Sequence, residues 1–143
     1  MSDAPHSQAN DRLQGFLASV PYIQFLGMRC ELAGDEMTAI LPFAPHLIGN
    51  SMLPALHGGV IGAFLEMTAL AQLSVVQQTP KVHKTIDVTI EYLRPGRALT
   101  TYARADLRKV GRRIANVTVE AWQEARGTPV AALRGHFMLS GED

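Results

Sequence analysis

His57-Gly58-Gly59 precedes a long apolar run, and a single carboxylate, Glu66, follows nine residues after the histidine. Glycines at the start of a helix let a ligand approach the backbone. The unpaired N–H groups of the first turn point outward there, with the positive end of the helix dipole behind them. An oxyanion hole requires such donors to be in place before negative charge develops on a carbonyl oxygen. The same Gly-Gly pair also serves as a tight packing turn. Glu66 stands among Phe64, Leu65, Met67 and Leu70, and nothing in the neighbouring turns can pair with it ionically. A lone buried carboxylate is costly unless it is hydrogen-bonded, lines a wet cavity or is protonated. Two readings follow. Glu66 reaches solvent at a subunit edge or pairs with a distant arginine, or it is held in a cleft as a general base or nucleophile.

The elements that position these residues can be read from periodicity and punctuation. VIGAFLEMTALAQLSVVQQ spans about five helical turns, ends at Thr79-Pro80 and is apolar on nearly every side, so protein must surround it. Before it, Asp11 to Val20 forms a short amphipathic helix ended by Pro21, and Met28–Ala33 and Glu36–Leu41 flank a Gly34-Asp35 turn. After it, Thr85–Leu93 alternates strictly, with Ile86, Val88, Ile90 and Tyr92 on one face and Thr85, Asp87, Thr89 and Glu91 on the other. Leu99–Val110, Arg112–Glu124 and Pro129–Leu139 complete an antiparallel meander. The class is α+β, with one buried helix laid across the sheet.

With 143 residues, 47% of them apolar, the chain can bury one core without disulfides. Residues 1–10 read as a disordered leader rather than a secretion signal, and residues 11–143 as one domain. Thirteen basic residues balance thirteen acidic ones, which gives no global pull towards nucleic acid or an anionic membrane. The balance is an average. Met1 to Glu36 carries five acids and two bases, whereas Glu66 is the only charge between Met37 and Pro80, where chain-average usage would place about eight. Prolines and glycines interrupt that charge-poor stretch, so it does not read as a membrane span. The single Cys30 excludes an intramolecular disulfide and fits a reducing, cytoplasmic compartment. The histidines at 6, 46, 57, 83 and 136 show no i, i+3 or i, i+4 pairing, so no metal site is expected, and no P-loop or dinucleotide fingerprint is present.

The succession ALHGGVIGAFLEMTALAQL, KTIDVTIEYLRPG, RKVGRRIANVTVEAWQE and PVAALRGHFML resembles the hot-dog-fold acyl-CoA thioesterases of the 4-hydroxybenzoyl-CoA and phenylacetate-degradation type, from about Leu26 to Leu139. The resemblance implies a sheet wrapped round the central helix and a homodimer, often paired again into a tetramer. It implies that the Gly59 amide polarises the thioester carbonyl while His57 shapes the loop or also contacts the thioester. Glu66 then activates water or attacks the carbonyl to form a mixed anhydride. Thr85 matches a position where relatives carry Ser or Thr that helps place the water; an ordinary strand threonine is the alternative. Asn50 matches a substrate-contacting Asn or Gln, although it stands seven rather than six residues before His57, and an Asn after Gly49 is also a turn residue. Glu66 lies seven positions beyond Gly59, about 10 Å along one helix. The two are therefore expected to meet across a dimer, Gly59 from one subunit and Glu66 from the other.

Between Lys81 and Arg113 nine basic residues face three acidic ones. Arg94 and Arg97, after the YLRPG strand, and Arg112 and Arg113, at the Gly111 turn, are candidates for the phosphates of coenzyme A, which enters as part of the substrate and not as a cofactor. Each is also a plausible solvated surface charge. The activity expected is hydrolysis of an aryl- or medium-chain acyl-CoA. A non-catalytic acyl-CoA-binding or sensing protein using the same cleft is the competing reading.

Overall fold

The protein, described here by a computed structural model covering residues 4–78 and 83–139, begins with helix α1, Ala4–Ser19. Residues 4–10, expected to fray, thus belong to a helix that starts seven residues earlier than Asp11. Pro5 falls in its first turn, where a missing N–H leaves no bond unmade. Pro21, expected only to stop that helix, opens a second one, α2 (Pro21–Leu26), which Gly27 ends in the left-handed conformation. Proline's fixed φ suits a first helical position as well as it ends a preceding helix.

Strands β1 (Arg29–Ala33) and β2 (Glu36–Leu41) form the expected hairpin. A 3-10 turn (Pro45–Leu47) leads to a small ribbon of β3 (Ile48–Asn50) and β4 (Ala55–Leu56), which pattern alone did not reveal because neither strand is long enough to show alternation. Then come α3 (Gly58–Val76), β5 (Lys84–Tyr92), β6 (Thr101–Val110), β7 (Ile114–Trp122) and β8 (Ala131–Met138). Thr79-Pro80, the expected stop of the long helix, lies outside the described residues.

The main sheet has the order β1-β2-β6-β7-β8-β5, antiparallel throughout. Only β6, β7 and β8 form a meander. β5 pairs with β8 instead of β6, because the connection from Leu93 to Thr100 is too long for a hairpin and carries the chain from the sheet edge to its centre. β5 is therefore an edge strand, with one side unpaired among the described residues.

By length and hydropathy α3 could cross a membrane, but it is mostly buried inside the fold. The sheet supplies Ala103, Val117, Val119, Leu133 and Phe137 beneath Phe64, Leu65 and Leu73 of α3, and α1 covers the other side with Leu13 and Leu17. Fully burying side chains of this size stabilises the fold by about 1.5–3 kcal/mol each. The far end of α3 is closed by a side chain from α1. Arg12 donates from Nε to the Ser74 carbonyl at 3.1 Å and from Nη2 to the Val75 carbonyl at 2.7 Å, satisfying acceptors that the helix leaves open.

Candidate active site

His57 is the N-cap of α3, with φ −62° and ψ 133°. Its carbonyl accepts from the Val60 and Ile61 amides at 3.0 and 3.2 Å, and its Nδ1 accepts from the Gly59 amide at 2.9 Å. The Gly58 carbonyl accepts from the Tyr92 hydroxyl at 2.7 Å. The Gly59 N–H, expected to face a carbonyl oxygen, is thus already bonded to His57. The first-turn N–H with no acceptor among the described residues is that of Gly58. Because Nδ1 accepts, a neutral His57 ring carries its proton on Nε2.

Gly58 lines an open cleft of about 380 Å³ together with Leu53, Leu56, Ile61, Tyr92 and Leu93. Arg94 also borders it, with Nη1 donating to the Pro129 carbonyl at 2.6 Å. Tyr92 faces this cleft, whereas Phe64 and Leu70 are core residues.

Two turns further along α3, Glu66 is half-buried, and its Oε2 accepts from the Thr85 hydroxyl at 2.7 Å. No arginine or lysine among the described residues pairs with it; the partner is a neutral hydroxyl on the edge strand. Strict alternation would set Thr85 on the face opposite Val88 and Ile90. A β-bulge between Thr85 and Asp87 reverses this. Thr85 pairs with the buried Phe137 and Asp87 with the exposed His136, so Ile86 is the extra residue and Thr85 turns towards α3. Gly135 of β8, opposite Val88, permits the close approach, since a Cβ there would lie 2.9 Å from the Asp87 carbonyl oxygen.

The remaining candidates are dispersed. Asn50 Oδ1 accepts from the Met52 amide at 2.9 Å, which makes it a turn residue at the tip of the β3–β4 ribbon. Arg97 is ion-paired with Glu124, and its backbone N–H donates to Gln123. Arg112 and Arg113 are exposed in the β6–β7 turn, at the same end of the sheet as Thr85, because Ile114 and Lys84 both pair with Met138. Arg94 stands at the opposite end, beside Gly58.

Within one chain the site therefore has two separated halves. One is a backbone donor at an apolar cleft and the other a half-buried carboxylate with an oriented hydroxyl, about 12 Å apart along α3. The bond from the Tyr92 hydroxyl to the Gly58 carbonyl and the bulge at Ile86 are the parts that sequence reasoning missed. Gly135, a lone glycine in a strand pattern, was the available signal for the bulge.

Residues 53–130 match the family model described as the thioesterase superfamily. The medium/long-chain acyl-CoA thioesterase YigI of Escherichia coli K12 is 32% identical over 126 residues, covering 76% of this chain and 79% of YigI. A crystal structure of a Chromobacterium violaceum protein superposes with a TM-score of 0.74 at 33% identity, covering 95% of each chain. The PaaI protein from the phenylacetic acid degradation operon of Escherichia coli shares the fold, with a TM-score of 0.80 at 18% identity over 96% of this chain and 97% of PaaI. An antiparallel sheet around one long helix, a helix N-terminus with a free donor and a carboxylate two turns on are thus found in a chain that belongs to the thioesterase superfamily and is a thioester hydrolase of the hot-dog fold.

Proposed function

We propose that the protein hydrolyses an aryl- or medium-chain acyl-CoA to the carboxylic acid and free CoA thiol, in a homodimer whose two sites each draw on both subunits. The observation that carries this reading is the hydrogen bond from Thr85 to Glu66, which holds a carboxylate on the helix whose first turn presents the free Gly58 N–H. The Gly58 N–H is the donor to the thioester oxygen, and Gly59 serves by orienting His57. Glu66 Oε1 has no donor among the described residues and is open to a water or to the carbonyl carbon.

In the general-base route Glu66 takes a proton from water as the oxygen attacks the carbonyl carbon. Negative charge collects on the oxygen at Gly58, then the C–S bond breaks and the thiolate leaves. In the nucleophilic route Glu66 itself forms the new C–O bond, the thiolate leaves, and water cleaves the resulting anhydride. Thr85 fixes the carboxylate in both.

The unpaired edge of β5 supports the dimer, because an exposed edge with Ile86, Tyr92 and Leu93 partly in solvent is completed by a second copy of itself. Antiparallel pairing of two β5 strands brings the Thr85 end of one towards the Tyr92 end of the other. Glu66 of one subunit then approaches the Gly58 turn of its neighbour, and a dimer of such dimers follows the same family pattern. Arg94, Arg112 and Arg113 surround that joint site and suit the CoA phosphates; Arg97 is held back by Glu124. The apolar walls of the cleft and the similarity to YigI favour an aliphatic chain.

Thiol release from a panel of aromatic and aliphatic acyl-CoAs tests the reading, with wild type and Glu66→Gln compared. Release by wild type and its loss in the variant are expected. Binding of the panel without release by wild type would favour a sensing protein, and undiminished release by Glu66→Gln would remove Glu66 from its role.

A further inference from the structure

We infer that Tyr92 is a positioning residue for this hydrolysis, clamping the Gly58–Gly59 peptide so that the first turn of α3 keeps its donor aimed outward; the inference rests on the function proposed above. The carbonyl of Gly58 and the amide of Gly59 are the two edges of one planar peptide unit. Tyr92 Oη donates to the carbonyl edge at 2.7 Å, and the amide edge donates to His57 Nδ1 at 2.9 Å. One peptide is therefore held from both sides by side chains, one from the residue before it and one from a strand 34 residues later in the chain.

A peptide flanked by glycines on both sides has the widest choice of dihedrals of any in the chain, and a donor that wanders loses its value to a developing oxyanion. Among the described residues, the preceding peptide, which carries the Gly58 N–H, is held through the His57 carbonyl and its bonds from Val60 and Ile61. If the following peptide rotates, the dihedrals of Gly58 change and that N–H loses its direction. Tyr92 can prevent this because its own backbone is fixed. It pairs with Ala131 on β8, and the next two amides, Leu93 and Arg94, both donate to the Val130 carbonyl at 2.9 and 3.1 Å. The phenol is thus a brace between the sheet edge and the helix start.

The residue is 55% exposed in the single chain, so burial of aromatic area is not its main contribution there. Its hydroxyl proton is committed to the Gly58 carbonyl, so Tyr92 does not supply a proton to the leaving thiolate. Its place in the reaction is to hold the donor, not to touch the reacting atoms.

Tyr92→Phe removes the hydroxyl alone. We expect kcat to fall by about tenfold with KM within about twofold, since the lost orientation matters most when charge develops. In protein labelled with 15N-glycine, the Gly59 amide should exchange with solvent at least about tenfold faster than in wild type, because half of its clamp is gone. An unchanged kcat, or a raised KM with kcat intact, would overturn the inference, the second because it would mark Tyr92 as a substrate contact. Unchanged Gly59 exchange in the variant would overturn it as well. Should wild type release no thiol from any acyl-CoA, the proposed function fails by that observation, while the exchange comparison still decides whether the clamp exists.

Discussion

Thr85 and Glu66 are joined by a 2.7 Å hydrogen bond from hydroxyl to carboxylate, and they can meet only because the bulge at Ile86 rotates Thr85 towards the central helix. One carboxylate oxygen is thereby fixed, and the other has no donor among the described residues. A base that must take a proton from one water needs this arrangement: a fixed direction, a free lone pair and no cation that would quench its basicity.

Removing the hydroxyl should cost activity more than stability. Thr85→Val is expected to lower kcat by about 10–100-fold, the usual range for loosening a general base, while Thr85→Ser stays within a few-fold of wild type. Steady-state kinetics on one acyl-CoA check this, and equal activity of the Val variant would show that Glu66 needs no orientation from β5.

Gly58→Pro deletes the first-turn N–H that has no acceptor among the described residues. Proline is favoured at a first helical position, His57 already has the extended ψ of 133° that a following proline demands, and a Cβ on Gly58 meets nothing closer than 3.6 Å. The variant should keep its thermal midpoint and lose about 100-fold or more in kcat, as expected when an oxyanion donor is removed. A folded and fully active proline variant would move the donor elsewhere.

Arg12 closes α3 from outside the site. Arg12→Ala leaves the Ser74 and Val75 carbonyls without their charged donor and should destabilise the protein by about 1.5–3 kcal/mol in urea unfolding, with kcat unchanged. A midpoint identical to wild type would show that water replaces the guanidinium without loss.

His83 precedes β5 and is buried, and burial lowers its pKa below the ordinary 6.5. Between the lowered value and 6.5 the unfolded chain binds more protons than the folded one. The contribution of His83 is therefore complete above pH 6.5 and is lost as the pH falls through the folded pKa. Unfolding free energy should decline as the pH falls below the ordinary histidine pKa more steeply in wild type than in His83→Gln. Parallel pH curves would contradict it.

The central helix and the main strands were legible because their signals are strong and local. Nineteen residues around Glu66 are apolar on every side, HGG marks the start, and alternation marks β5 to β8. The hairpin of β1 and β2 followed from Gly34-Asp35 in the same way. What escaped depends on contacts distant in sequence. The place of β5 beside β8 is decided by the long connection after Tyr92, and the bulge by the close approach of Gly135. The Gly59 amide looked free in sequence but is bonded to the His57 ring, and Asn50, readable as a substrate contact or a turn residue, has its oxygen on the Met52 amide. α2 was missed because Pro21 both ends one helix and begins the next.

The central claim is that Glu66 of one subunit serves the Gly58 turn of the other, and subunit hybrids test it most directly. Glu66→Gln and Gly58→Pro homodimers should each be inactive. In a hybrid of the two, one site combines an intact Gly58 from the first chain with an intact Glu66 from the second, so random mixing should restore about a quarter of wild-type activity. If hybrids form and thiol release stays at the level of the two parents, both groups act within one chain and the account is contradicted.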